Sequence, residues 1–473
     1  LKGFFLILSK TDFLMFLDAP MHLWAKTHGK LEQKPLTPYE QHLLKQGQQV
    51  ESLASEYIET VLLHQYSHAR VLWQPAYDDG RFEIRADALI FDQDAGLYDL
   101  YEIKSSTSIH PEHKLDLTFQ VLLLESILEL RHVYLLHIDK TYRHGDVLDL
   151  ERFFLIEELS QEVEKHRQDV DRWRHEALEV IEMEKPLPAF ACTKPKTCPC
   201  PSLCHPGLSD HPVYDIPYIG RKAGQLREMG VTDIKDIPAT FNLNSKQKKH
   251  YQSVKSGQAL IDREAIRSAL AGLTFPLHFL DYETFNPAVP LFHGYRPYEH
   301  IAFQYSLFVL QAPGADPQHY DCLLTDGSDP APVFVPHLLG HIQDQGSVIV
   351  WNQSFEAHRN LDLTEHCPQY ADQLMNINGR LFDLMLVFKE GLYVHQDFHG
   401  SASLKNVLPV LCPNLHYDDL MISNGEEAML TWIQIIEGKY PPEQQREIET
   451  ALLKYCEMDT YGMVAIWEKL RNL

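Results

Sequence analysis

No stretch of this 473-residue chain approaches the roughly 20 consecutive apolar residues of a membrane-spanning helix, which excludes a helical membrane protein. The opening LKGFFLILSKTDFLMF is apolar, but Lys2, Lys10 and Asp12 interrupt it and it has no small-residue cleavage site. It does not read as a signal peptide, and the expectation is a cytoplasmic protein without membrane partners. Positive charge is in short supply, with 42 Lys and Arg against 66 Asp and Glu and a net charge of −24. That balance argues against a protein that coats nucleic acid by bulk charge. It is compatible with carboxylate sites that recruit divalent metals and with local basic patches. Internal repeats and low-complexity tracts are missing. Cysteine is scarce too. Four of the eight (Cys322, Cys367, Cys412, Cys456) stand singly, as reduced, buried thiols do, so no disulfide framework is expected.

What is present is ordinary globular material, 44% hydrophobic and 23% charged. The length asks for two or three domains. Helical spacing marks 36–66, through Leu43, Leu44, Val50, Leu53, Ala54, Tyr57 and Ile58. Residues 82–91 (FEIRADALIF) and 97–103 (LYDLYEI) read as strands around the turn DQDAG. A helix over 114–131, a buried strand over 131–138 and a charged helix over 157–184 follow. The Pro-, Cys- and Lys-rich stretch 185–213 closes this region, and 214–262 reads as a short helical insert. From about 275 the buried strands PLHFLDYET and VIVWN open a third pattern.

Asp87 lies in the first strand of the expected hairpin, and Glu102 and Lys104 lie in the second. Residues two apart on a strand share a face, so Glu102 and Lys104 point together and the turn brings Asp87 nearly opposite. Two carboxylates suit Mg²⁺ or Mn²⁺, which take oxygen ligands and acidify a bound water. The lysine can orient that water or neutralise the transition state. Taken alone, Glu-x-Lys is more often a solvated strand face. The segments RADALI, YEIKSST and FQVLLLE together resemble the PD-(D/E)xK nucleases, in the RecB-like branch that includes CRISPR-associated nucleases. The resemblance covers roughly 8–205. It implies a restriction-endonuclease-like α/β/α core, a further metal ligand at Glu51 and a substrate-contacting or supporting role for Gln120.

Four cysteines fall within thirteen residues: Cys192, Cys198, Cys200 and Cys204. Thiolates at such spacing suit zinc or an iron–sulfur cluster, against the alternative of a metal-free loop. Relatives in the RecB-like branch hold a [4Fe–4S] cluster with three late cysteines and one early one. Cys192, Cys198 and Cys204 match the late three. LDAPMHLW resembles the early segment, with Ala19 at the cysteine position, and leaves Cys200 as the candidate fourth ligand.

FLDYET places Asp281 and Glu283 two apart on an expected strand, and a buried carboxylate pair is costly unless a cation neutralises it. The alternative is a pair of solvated acids at a strand end. VIVWNQSFEAHRN, FDLMLVF, SASLKNVLPVL and YCEMDTYGM follow in order. The series resembles the DEDD exonucleases of the ribonuclease-H-like fold, over about 275–473. It implies metal ligands at Asp281, Glu283, Glu356 and Asp459, a water-positioning Tyr455 and a supporting Asp383. Tyr455 and Asp459, at i and i+4, share a helical face. Glu356 stands where the family has aspartate and is one methylene longer. That bears on a two-metal site, whose ions sit about 3.5–4 Å apart.

Residues 219–257 carry eight Lys or Arg against three acids. IGRKAGQLREMGVTDIKDI resembles one helix-hairpin-helix unit, in which backbone N–H groups meet a DNA phosphate. A solvated helix pair is the competing reading. The expectation is thus an α/β multidomain chain: a RecB-like nuclease domain with the cysteine cluster over 1–210, a helical linker over 211–268, and a ribonuclease-H-like domain over 269–473. The expected function is hydrolysis of nucleic acid, DNA ahead of RNA, at two metal-dependent sites. The alternatives are a nucleic-acid-binding protein whose C-terminal site has decayed into a platform, and a nucleotide phosphohydrolase.

Overall fold

The computed structural model describes residues 7–473, so the first six residues of the opening apolar stretch lie outside it. The chain divides into two compact units. One runs to Gly207 and includes Pro287–Tyr298; the other comprises Leu208–Asn286 and Glu299–Leu473. Among the described residues no helix is long and apolar enough to cross a membrane.

In the first unit, α1 (Lys10–Asp18) starts at a capping box in which Ser9 and Asp12 bond each other's backbone. A short extended step at Ala19 separates it from α2 (Pro20–Thr27). α3 (Pro38–Thr60) is capped in the same way by Thr37 and Glu40. Five strands then form one sheet in sequence order: β1 (Ala69–Trp73), β2 (Ala88–Asp92), β3 (Leu97–Lys104), β4 (Leu130–Ile138) and β5 (Phe154–Glu158). Only β3 and β4 are parallel, joined through α4 (Pro111–Leu124). α5 (Ser160–Glu182) follows β5.

The sheet is covered on both faces, as period-2 alternation requires. Leu89, Leu100, Val133 and Leu135 pack with Leu117 and Phe119 of α4. Ala88, Ile90, Tyr101, Ile103 and Leu136 pack with Val50, Ala54 and Ile58 of α3. The result is an α/β/α layering with Glu102 on the α4 side, in line with Leu100.

Four expected boundaries move. The strand expected over 82–91 is two strands: Phe82–Arg85 pairs with Leu8–Ser9 and Ala76–Asp78 in a small sheet, while β2 joins the large one. Ala86 and Asp87 make the crossing, which uninterrupted alternation could not reveal. The helix over 36–66 stops at Thr60 and tightens into a 3₁₀ turn. The helix over 114–131 ends at Leu124, because Leu130 already pairs with Tyr98 in the ladder. The helix over 157–184 starts at Ser160, because 154–158 are spent on β5.

The second unit begins with α6 (Arg221–Glu228), α7 (Ser245–Ser256) and α8 (Arg263–Leu270). Val213, Ile216, Ala223, Leu226, Ile234 and Val254 form a small core there. Its large sheet contains β6 (Leu277–Phe285), β7 (Ile301–Leu310), β8 (Gln318–Leu323), β9 (Val348–Val350) and β10 (Leu381–Asp383), in the order β8-β7-β6-β9-β10. β6, β7 and β8 form an antiparallel meander, and β9 and β10 extend it in parallel with β6.

α9 (Ala331–His341), α10 (Gln353–His366) and α11 (Ala371–Gly379) follow the meander in sequence. Side chains of these three helices join Leu280, Tyr282, Tyr305 and Leu307 in one core. α12 (Leu404–Leu411), α13 (Gly425–Ile436) and α14 (Pro442–Arg471) join Phe279, Phe308 and Ile349 in another. Every residue of β7 is buried, as expected of a strand covered on both faces. Asp281 and Glu283 continue the Phe279 row, toward α14.

Candidate metal centres

In the first unit the β2–β3 register sets Ala88 opposite Tyr101, so Asp87 stands beside Glu102. Asp87 Oδ2 accepts the Ile103 N–H at 2.8 Å. Glu102 is fully buried. Its Oε1 accepts from Lys104 Nζ at 2.5 Å and Lys10 Nζ at 2.9 Å, and its Oε2 accepts from Gln120 Nε2 at 2.8 Å. Gln120 Nε2 also reaches Asp116 Oδ1 at 3.1 Å, and Lys104 Nζ reaches Asp116 Oδ2 at 3.1 Å.

Two lysines and two further acids thus surround one buried carboxylate. Burial alone would raise the Glu102 pKa, but Lys104 and Lys10 outweigh it and hold the group well below the carboxylate range. Asp87 goes the other way, up to about 7, through burial and then the Glu102 charge. Asp116 is raised for the same two reasons. Glu51 is not in this cluster. Its Oε1 accepts from Gln74 Nε2 at 2.7 Å, and the Gln74 N–H bonds the Asp87 carbonyl.

Lys10 and Asp116 escaped the sequence reading. Asp116 had a usable signal, since it precedes Gln120 by four residues on one helical face. Lys10 is 92 residues from Glu102, and nothing local marks it.

The cysteine loop folds onto α2. His22, Cys192, Cys198 and Cys204 are all buried, with ligand atoms within 4.8 Å of one another. His22 Nε2 lies 3.2 Å from Cys192 Sγ and 3.6 Å from Cys198 Sγ, and His22 Nδ1 lies 2.8 Å from Asp18 Oδ2. Cys200 sits beside this group rather than in it, with its Sγ 3.5 Å from that of Cys204. His205 Nε2 is 3.2 Å from Cys192 Sγ. The sequence reading had the segment LDAPMHLW in hand but stopped at Ala19; the histidine three residues on faces the thiols. Three sulfurs and one imidazole nitrogen fit tetrahedral zinc, and they also fit an iron–sulfur cluster with one nitrogen ligand.

In the second unit Asp281, Glu283 and Cys456 present ligand atoms within 4.8 Å of one another. Cys456 Sγ lies 3.9 Å from Asp281 Oδ2. Asp459, one helical turn beyond Tyr455 on α14, bonds the Tyr417 hydroxyl. Gly425, at the α13 N-terminus, lies against both Glu283 and Tyr455: a Cβ there would stand 3.7 Å from Glu283 Oε2 and 3.9 Å from the Tyr455 hydroxyl, in ordinary contact. Glu356, in the first turn of α10, is buried, and its Oε2 has no hydrogen-bond partner. Asp383, at the end of β10, accepts the N–H groups of Gln353 and Met385 and so fixes the α10 start.

Every acid of this group has its pKa raised. Burial is the main cause, followed for Asp281 by the charge of Asp459, for Glu283 by Asp281, and for Glu356 by Asp281. Asp459 is raised by burial too, against the pull of Tyr417 and Lys405. Lys405 Nζ lies over the Tyr417 and Tyr455 rings, 5.4 and 5.2 Å from their centroids. The sequence reading missed Lys405, Tyr417 and Cys456. Among these, SASLKNVLPVL had been marked without a role for its lysine.

Both carboxylate clusters have hard oxygen donors, and the unpartnered Glu356 oxygen is an acceptor without a cation. These donor sets fit Mg²⁺ or Mn²⁺.

A model of a domain of unknown function (DUF2779) matches residues 278–403, which take in Asp281, Glu283, Glu356 and Asp383. An uncharacterized protein of Mycoplasma pneumoniae, the MG366 homolog, is 26% identical over 205 residues, or 40% of this chain and 31% of that protein. The uncharacterized protein MG366 of Mycoplasma genitalium is 23% identical over 206 residues, with the same shares of each chain. The chain therefore spans about a third of the length of the curated relatives it matches. Two solved structures are similar in part. One is an alkaline exonuclease from Laribacter hongkongensis, with a TM-score of 0.24 and 13% identity over 37% of this chain and 91% of that one. The other is SSO0001, with a TM-score of 0.26 and 15% identity over 44% and 90%.

Proposed function

We propose that the chain is a metal-dependent nuclease with one phosphodiesterase site in each unit. The observation that carries this reading is the second cluster: four acids from β6, α10 and α14 converge with raised pKa values, and a buried Glu356 oxygen is left without a partner. The sheet order β8-β7-β6-β9-β10, with only the first three strands antiparallel, supports a ribonuclease-H-like assignment for that unit. The α/β/α layering, with Glu102 and Lys104 at the end of the central strand β3 and Asp87 just before β2, supports the PD-(D/E)xK assignment for the first.

Asp281, Glu283, Glu356 and Asp459 would hold Mg²⁺ or Mn²⁺ in the second unit, and Asp87 and Glu102 in the first. Such ions acidify a bound water and stabilise charge on a transferring phosphoryl group. Tyr455, with its hydroxyl near Glu283, positions the attacking water. Lys405 puts a positive charge at the mouth of the carboxylate group, where a substrate phosphate would approach. Lys104, already charged in its Glu102 and Asp116 contacts, stabilises negative charge on the scissile phosphate at the first site. Gln120 fixes the rotamer of Glu102. The substrate assignment is DNA ahead of RNA, with 3′→5′ exonuclease action at the second site.

The test is Mn²⁺-dependent digestion of end-labelled single-stranded DNA by the wild type, Lys104→Ala and Asp281→Asn. Each variant should lose its own part of the product pattern. Inertness of all three proteins on DNA and RNA would sink the proposal, and turnover of mononucleotides alone would transfer the sites to nucleotide hydrolysis.

A further inference from the structure

A third cluster lies in the second unit, away from these carboxylates. His211, Asp215 and His399 present ligand atoms within 4.8 Å of one another. His399 Nδ1 is 2.8 Å from Asp215 Oδ2, and the His211 and His399 rings stack at 5.5 Å with 28° between their planes. His211 Nδ1 is sealed from solvent and has no hydrogen-bond partner. His250, on α7, is buried, interacts electrostatically with both rings, and has a second sealed and unpartnered nitrogen, Nε2. Unbonded buried nitrogens are expensive, and a shared cation removes that cost.

The backbone is arranged to produce this meeting. His399 adopts a left-handed conformation, φ +50°, which non-glycine residues rarely take. Gly400 follows at φ +69°, and a Cβ there would lie 1.6 Å from the Asp215 carbonyl oxygen. Only glycine lets the two segments, 184 residues apart in sequence, approach so closely. Outlying backbone of this kind persists where something nearby holds it.

We propose that His211, Asp215 and His399 bind a zinc-class divalent ion that clasps the 211–215 segment to the 399–400 turn. Two imidazoles and one carboxylate, with solvent in the remaining place, are a borderline-soft donor set that favours zinc over magnesium. The site is separate in ligands and chemistry from the thiolate group and from the acidic groups.

The test measures zinc retained by the full-length protein after gel filtration in excess Mg²⁺, which competes at the acidic sites. His399→Asn is the first variant, because Asn tolerates the left-handed backbone. His211→Gln is the second. Wild type should retain one zinc equivalent more than either variant, with circular dichroism unchanged and the cysteine-bound metal intact. Added zinc should raise the melting temperature of wild type more than that of the variants. Equal zinc content in all three proteins overturns the proposal.

Discussion

The two acidic centres answer the same problem, buried carboxylates, in opposite ways. In the first unit the chain brings its own cations: Lys10 and Lys104 both bond Glu102, which stays ionised although no water reaches it. In the second unit Lys405 acts on Glu283 and Asp459 and Arg359 on Glu356, yet burial raises Asp281, Glu283, Glu356 and Asp459 alike. A site that neutralises itself can fold before it binds metal. A site that does not must hold protons or a metal, so its stability and its occupancy are linked. On the proposed reading the first centre is a preformed electrostatic cage, and the second is expected to depend on metal for part of its stability.

The largest expected effects are on cleavage. Lys104→Ala should lower first-site cleavage by about 10²–10³-fold, the usual cost of removing one stabilising donor. Asp281→Asn should abolish the second product pattern, and end-labelled digestion separates the two. Next comes a stability effect of opposite sign in the two units. Glu102→Gln leaves Lys10 and Lys104 with Asp116 as their remaining shared carboxylate and should cost about 3 kcal/mol in denaturant unfolding. Asp281→Asn removes a mutually repelling charge and should stabilise the metal-free protein. A destabilised metal-free Asp281→Asn would break the comparison at its centre.

The sheet alternation, the order of the motifs and the β2–β3 pairing could be read from sequence because each is written at period 2 or within a few residues. Glu102 and Lys104 share a face for that reason. Lys10, which with Lys104 holds Glu102 ionised, could not be read, because it arrives from another element by tertiary packing alone; Asp116 could have been, from its place one turn before Gln120. The same limit hid His22. Helix α2 carries it to the cysteine loop 170 residues away, while Cys200, close in sequence, is displaced to the side. Metal analysis sharpens this point. His22→Ala should lose the cysteine-bound metal and Cys200→Ala should keep it; the reverse result would return the fourth place to Cys200.

The pH dependence should also differ between the units. A carboxylate raised in the folded state contributes stability that is full below its unfolded value and is lost as pH rises through the folded one. In EDTA, then, the second unit should melt at progressively lower temperature as pH rises above the ordinary carboxylate range, and Mn²⁺ should remove the trend. The first unit carries both signs: Glu102, lowered in the folded state, loses its contribution only as pH falls below that range, while Asp87, raised to about 7, and Asp116 lose theirs as pH rises. Differential scanning calorimetry of the full chain, with Asp281→Asn to mark the second unit, resolves the two. A metal-free second transition that rises with pH would contradict the raised values.

The smallest effect concerns Lys405, the cation that acts on Glu283 and Asp459. It lies over the Tyr417 and Tyr455 rings and lowers the pKa values of Glu283 and Asp459. Lys405→Met keeps most of the side-chain stem but removes the charge. The acids should then titrate at higher pH, and a bound metal should no longer compete with the ammonium. Mn²⁺ affinity at alkaline pH should rise a few-fold, while cleavage falls because the phosphate loses its guide. Those two readouts moving in opposite directions separate an electrostatic role from a packing one, since loosened rings would weaken both. If metal affinity instead falls with cleavage, Lys405 acts by holding the tyrosines in place and not by its charge.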